Sequence, residues 1–282
     1  MATAVSFTGG KDSVLALHLV SGFQHILLPH QHSTPPVTLL VTFAPPGSDF
    51  KAHPLPIIQA LAKSLNIPHL LLEVHHPFLD SYRQHLERLH QDRRITHLVT
   101  GDILDVAAGF MQLAVQGTAV QLVRPLWHCP RQHVLTVLQD LKICSKISCI
   151  DLGKYQPQQG KSGQAGQLQR QQQQQQQPSG TAQPATSCCA ADSVSCDSGA
   201  CSAGFDAERD LLGHELTPDL VRGPLTVAGQ LFDADLCGER GEYHTLVFDA
   251  PLMQASLQLM PSEQRVVHSG PYRHAYVVWG PV

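Results

Sequence analysis

Apolar residues recur along the first half of the chain in two alternating rhythms. Short, nearly continuous apolar runs at residues 4–8, 37–43 (VTLLVTF), 69–74 (HLLLEV), 96–100 and 120–123 predict strands. Between them lie stretches with helical spacing. Residues 12–21 carry Val14, Leu15, Leu17, Leu19 and Val20, and residues 56–65 carry Ile57, Ile58, Leu61 and Leu65. Residues 78–89 read as a polar-faced helix, and residues 104–115 and 130–143 as two more. Residues 147–152 read as a sixth strand. Strands that alternate with helices imply βαβ units, and strands apolar throughout imply burial on both faces. The expected fold is α/β, a doubly wound parallel sheet. In such a sheet a ligand sits beyond the carboxyl ends of the strands, near a topological switch point.

The pattern then breaks. Residues 154–204 contain a glutamine run at 171–177 and then Pro, Ser, Thr, Ala and Cys. A stretch of this kind buries too little apolar surface to offset its chain entropy, so it is expected to be a disordered insertion. Order is expected to resume near Phe205, with a helical or turn-like stretch at 211–221 and a motif-like segment, CGERGEYHTLVFDAP, at 237–251. Residues 257–279 alternate apolar and polar positions and predict antiparallel strands. Three regions follow: 1–153 as the α/β domain, 154–204 as the insertion, and 205–282 as a smaller C-terminal α+β part.

Composition narrows the function classes. Formal net charge is −4 without a dense Lys/Arg block, so bulk phosphate neutralisation of nucleic acid is not indicated. No apolar run reaches the length of a membrane span, and the N-terminus lacks a basic region followed by a hydrophobic stretch. A cytoplasmic protein is expected. Cys129, Cys144, Cys149 and Cys237 are irregularly spaced, as are Cys188, Cys189, Cys196 and Cys201, and neither group has paired C-x-x-C spacing. Free thiols are the expectation, with a metal role for the second group left open.

The first strand runs into Thr8-Gly9-Gly10-Lys11-Asp12-Ser13. Two glycines after a buried strand let the backbone curl and approach a ligand closely. Successive N–H groups and the start of the next helix then face phosphate oxygens. Lys11 adds a positive charge, Ser13 a hydroxyl, and Asp12 either braces the loop or holds a hydrated Mg²⁺. As a solvent-facing loop it should tolerate Lys11→Ala without loss of fold. It is not a Walker A loop, which needs Ser or Thr directly after the Lys, where this chain has Asp12, and an earlier Gly, where it has Val5.

Gly-Gly-Lys-Asp-Ser resembles the pyrophosphate loop of ATP pyrophosphatases, which split ATP between its α- and β-phosphates. With Cys237-Gly238-Glu239-Arg240-Gly241-Glu242-Tyr243-His244-Thr245, the chain resembles the diphthine–ammonia ligase (diphthamide synthase) family. Gly101-Asp102-Ile103, Pro125-Leu126-Trp127 and Phe248-Asp249-Ala250-Pro251-Leu252 support the likeness, which spans about residues 4–153 and 205–255. The resemblance implies a HUP-type ATP-binding domain, with ATP and Mg²⁺ as cofactors, free ammonia as nitrogen donor and translation elongation factor two as protein partner. In that reaction the diphthine carboxylate is adenylylated and ammonia displaces AMP.

Carried onto this chain, the resemblance places phosphate binding at Thr8, Gly9, Gly10, Lys11, Asp12, Ser13, Gly101 and Asp102. Catalysis falls to Lys11, Asp12, Glu239 and Glu242. Substrate and ammonia fall to Glu239, Glu242 and His244, with Mg²⁺ on Asp12. The two Glu either hold ammonium and accept a proton, or cap backbone N–H groups in a glycine-rich turn. Thr8 stands where the family usually has Ser, and Gly-Asp-Ile and Tyr-His-Thr look more like its bacterial branch. An amide or C–N ligase acting on another carboxylic acid therefore stays open, as does a non-catalytic nucleotide-binding module. tRNA thiolation is disfavoured by the missing basic surface and C-x-x-C pairs, and glutaminase coupling by the chain length.

Overall fold

A computed structural model describes residues 1–23, 34–48, 50–105, 108–156, 204–269 and 272–280. The glutamine run, Cys188, Cys189, Cys196 and Cys201 lie outside the described residues.

The parallel sheet is built from β1 (Ala2–Ser6), β2 (Val37–Ala44), β3 (His69–Glu73), β4 (Ile95–Val99) and β5 (Gln121–Val123), in the order β3-β2-β1-β4-β5. All four neighbouring pairs are parallel. Helices α1 (Lys11–His18), α2 (Leu55–Ser64), α3 (Phe78–Arg93), α4 (Phe110–Val115) and α5 (Arg131–Asp140) follow the five strands in turn. The period-two pleat divides each strand between two cores. Val5, Leu40 and Val99 join Leu15, Ile57, Ile58 and Val134 of α1, α2 and α5. Ala4, Val41 and Leu98 face the other way, onto Leu86, Leu89 and Ala114 of α3 and α4. The sheet is thus covered on both faces, as its continuous apolar strands predict.

Two expectations change. The helix signal over 104–115 yields only the six residues of α4, because Ala108 and Gly109 before it are both left-handed, at φ 49° and 71°. The sixth strand extends over Cys144–Asp151 (β6) and leaves the parallel sheet. It pairs antiparallel with β7 (Tyr243–Asp249) and β9 (Tyr272–Trp279), and β9 pairs with β8 (Pro261–Ser269). The second sheet runs β7-β6-β9-β8. Between β6 and β7 the chain forms α6 (Ala207–Asp210), α7 (Pro218–Leu220) and α8 (Thr226–Phe232), of which only α7 falls in the stretch 211–221 read as helical or turn-like. The architecture is α/β with a separate antiparallel sheet. Among the described residues no helix is long and apolar enough to cross a membrane.

Strand order explains where a site can form. The chain winds outward from β1 through β2 to β3, then crosses back to β4 on the other side of β1. The carboxyl ends of β1 and β4 therefore diverge at a switch point, where connecting loops leave a crevice.

Candidate functional site

The Thr8–Ser13 loop occupies that crevice. Gly9 is left-handed at φ +75°, and a Cβ there would stand 2.7 Å from Leu61 Cδ1. Gly10 precedes the first turn of α1 in extended conformation. Inside the loop, the Ser13 hydroxyl donates to the Gly10 carbonyl at 3.0 Å. Strand β7 then docks on the loop: Val247 N–H donates to the Gly9 carbonyl at 2.9 Å, and Lys11 N–H donates to Thr245 Oγ1 at 3.0 Å. The glycine loop and the 237–245 motif are thereby fixed to each other across more than two hundred residues of sequence.

Lys11 differs from expectation. Its side chain is buried, 3% exposed, and its Nζ donates to Asp12 Oδ2 at 2.8 Å and to the Cys237 carbonyl at 2.5 Å. The ammonium also lies over the Tyr243 ring, 5.4 Å from its centroid. Burial pulls the ammonium down, but Asp12 above all, by charge and hydrogen bond, and then Glu239 outweigh it and hold Lys11 above its ordinary value. The loop is thus not a freely solvated turn, and Lys11 ties it to the second motif.

A cleft of about 910 Å³ opens over these elements. Thr8, Gly10, Lys11, Asp12, Ser13, Gly101, Asp102, Glu239 and His244 line it, so the geometry brings together most of the residues singled out in the sequence. Gly9 lies behind the loop. Asp102 accepts from the Thr100 hydroxyl at 2.7 Å, and burial raises its carboxyl despite that bond and the charge of Arg124. Glu239 is raised to about 7, chiefly by burial and then by Asp12, with Lys11 and Arg131 opposing.

Glu242 has a different place. It is 2% exposed and does not line this cleft. Its Oε1 accepts from Asp235 N–H at 2.8 Å and Arg240 Nε at 3.2 Å, while Oε2 accepts from Arg240 N–H at 3.0 Å. The carboxylate knits the glycine-rich turn together, the capping of backbone N–H groups that the sequence left open beside catalysis and ammonia binding. The turn needs such a brace because its backbone N–H groups lack a ladder partner. Asp235 completes it, accepting from Cys237 N–H at 2.8 Å and from Arg131 Nε at 3.0 Å. Cys237 is buried and its thiol is pushed up to about 12 by that burial, which leaves no thiolate to act.

His53 is one of the lining residues that the sequence reading missed, beside Ser6, Thr100, Asp105 and Met111. It lies between β2 and α2 in a stretch of Pro, Gly and Ser, where one His among seventeen carries no signal. Its Nε2 stands 3.1 Å from where a Cβ on Gly10 would be, and its ring bonds to the Thr245 carbonyl. His244 meets it edge-on at a centroid distance of 5.4 Å. Burial, then His244, depresses His53 to about 3, and burial, then Lys11 and His274, depresses His244 to about 4. Both rings are neutral at physiological pH.

No family model matches the sequence, and no curated protein does. Among solved structures the chain is similar to a predicted subunit of a tRNA methyltransferase from Methanocaldococcus jannaschii. That match has 17% identity and a TM-score of 0.36, and covers 52% of this chain and 78% of that one. It is also similar to the U34-tRNA thiolase NcsA from Methanococcus maripaludis, which carries a [4Fe-4S] cluster. Here identity is 13% and the TM-score 0.36, covering 50% of this chain and 57% of that one.

Proposed function

We propose that this chain binds ATP in the cleft, activates a carboxylate as an acyl-adenylate and transfers the acyl group to ammonia, with diphthine on translation elongation factor two as the acceptor. The carrying observation is the bond from Lys11 Nζ to the Cys237 carbonyl. Through it the phosphate-type loop and the second motif, on which the resemblance to diphthine–ammonia ligases rests, share one cleft.

The Thr8 hydroxyl and the N–H groups of Asp12 and Ser13 at the start of α1 suit phosphate oxygens. The acceptor carboxylate attacks the α-phosphorus and pyrophosphate leaves. Ammonia then attacks the acyl carbon, the bond to AMP breaks, and the amine proton passes to Glu239. A carboxyl near 7 is well matched to that transfer at neutral pH. Magnesium brought in with the nucleotide would neutralise phosphate charge. Asp12 suits it as a ligand, since its Oδ1 is buried without a hydrogen-bond partner. Among the described residues no group of three His, Cys, Asp or Glu could hold a metal, so phosphate oxygens and water would complete the shell.

Purified protein with ATP, Mg²⁺, ammonium and diphthine-bearing elongation factor should release pyrophosphate and AMP and leave diphthamide on the factor, read by mass spectrometry. ATP binding without pyrophosphate release on this acceptor would overturn the diphthamide assignment. Turnover with another acid would support the second reading, a ligase of different acceptor. Gly101-Asp102-Ile103 and Tyr243-His244-Thr245 favour that reading, because they resemble the bacterial branch of the family.

A further inference from the structure

The loop after β1 is flanked by two unlike sides. On the β4 side stand Asp102 and Asp105. On the β2 side stands His53, joined by His244 from β7. We propose that His53 and His244 bind the terminal phosphates of the nucleotide and take up a proton as they do so. The proposal rests on the reading of the cleft as an ATP site and adds to it residues that hold the far end of the polyphosphate.

Three observations carry it. First, the obvious cations are already engaged. Lys11 Nζ is tied to Asp12 and the Cys237 carbonyl, and the Arg240 guanidinium is bound to Glu242 and Asp233. Among the described lining residues, the other side chains able to become cationic are the two histidines.

Second, the geometry puts them at the loop. The His53 ring lies against Gly10 where a Cβ would otherwise stand, and it bonds to the Thr245 carbonyl. The hydroxyl of that same Thr245 receives Lys11 N–H. One residue of β7 therefore holds both the loop backbone and the imidazole, and a phosphate on the loop would border His53.

Third, the surroundings make the pair responsive to an anion. Facing these rings are Lys11 from α1, each other across β7 and the β2–α2 connection, His274 from β9 and Asp151 from β6. Burial first, and then Lys11, His274 and the mutual repulsion, keep the rings neutral, with Asp151 the one opposing charge. A polyphosphate adds negative charge against these effects, and an imidazolium offers two donors where the neutral ring has one. Charge-assisted bonds to phosphate are roughly twice as strong as neutral ones.

The test is calorimetry of Mg-ATP and of pyrophosphate, run in buffers of different ionisation heat. Wild-type protein should take up protons on binding. His53→Gln, which keeps a donor for the Thr245 carbonyl, and His244→Gln should each weaken binding by about tenfold or more, the loss of one charge-assisted bond. Each should also reduce the uptake. Wild-type affinity should rise from about pH 8 to about pH 6 more steeply than that of His53→Gln, which serves as reference for the nucleotide's own titration. Binding of ATP with neither proton uptake nor a steeper pH dependence overturns the proposal while the ATP site stands. Glu239 also titrates near neutrality in this cleft, so uptake that persists in Glu239→Gln is expected, and uptake lost in that variant overturns the proposal even where a histidine variant fails to fold. Failure of wild-type protein to bind ATP removes both.

Discussion

Gly101, just past the end of β4, stands against the backbone of Asp12. A Cβ at position 101 would lie 2.6 Å from the Asp12 carbonyl carbon, 2.7 Å from its oxygen and 2.8 Å from the Ser13 nitrogen. Backbone atoms cannot step aside as a side-chain tip can. Only glycine lets the two loops of the switch-point crevice close to this distance. Gly101→Ala is expected to push the loops apart, at a cost of about 1–3 kcal/mol for overpacking. ATP affinity should fall by about tenfold or more while the sheet stays intact. Calorimetric titration beside a thermal melt checks this, and unchanged affinity would show that the spacing of the two loops does not matter to the ligand.

Lys11→Met should damage stability as well as ATP use. The substitution keeps the aliphatic stem but leaves Asp12 and the Cys237 carbonyl without their donor. Hydrogen bonds to charged groups are worth about 1.5–3 kcal/mol each, and the partly exposed Asp12 places this pair toward the lower end. Denaturant unfolding should show a loss of about 1–3 kcal/mol. A variant of unchanged stability but lost turnover would return Lys11 to the solvent-facing role that the sequence alone suggests.

The parallel sheet and its glycine loop were legible because their signals are local. Val37 to Phe43 is apolar throughout, and Gly9-Gly10 follow a buried strand directly. What could not be read depends on β7 returning to the loop. Nothing near Lys11 in sequence announces that its ammonium will meet the Cys237 carbonyl. For Glu242 the glycine-rich turn offers capping beside chemistry, and only the fold, which keeps Glu242 out of the cleft, decides between them. The apolar run at Ile147 and Ile150 suits either sheet. Its partners, Thr245 on β7 and Ala275 on β9, lie about a hundred residues or more downstream and decide the matter. His53 is invisible for a related reason, since its role comes from Gly10 and Thr245 and not from its own surroundings in sequence.

Removing residues 157–203 and joining the ends with a short Gly/Ser linker should leave fold and ATP binding unchanged. The flanks are already held together. Tyr155 and Phe205 lie 6.2 Å apart between ring centroids, and each packs against Phe232, at 6.1 Å and 5.6 Å. The cut must begin after Tyr155, which is buried in the main core with Leu211 and Leu212. A soluble product with the parent melting temperature is the expected result. Insoluble protein after this excision would show that the removed stretch contributes packing of its own.

Glu239 and Glu242 sit three residues apart and should respond oppositely to the same change. Glu239→Gln removes the carboxylate that faces the cleft, so turnover should drop by about a hundredfold or more, the scale of a lost general base. Because Glu239 is raised to about 7, it is protonated below that pH, and wild-type activity should rise through neutrality. The variant should lose this rising limb. Stability moves the other way. The folded protein holds the Glu239 proton more tightly than the unfolded chain, so its contribution is present in acid and fades as pH rises from the ordinary glutamate range to about 7. Glu239→Gln should therefore lessen the dependence of stability on pH across that window. In Glu242→Gln one acceptor oxygen becomes a donor facing Asp235 N–H, Arg240 N–H or Arg240 Nε. That variant should unfold at lower denaturant and keep the rising pH limb in whatever activity remains. Pyrophosphate-release profiles and urea titrations on both variants distinguish the roles, and matching profiles would mean that both carboxylates serve the chemistry.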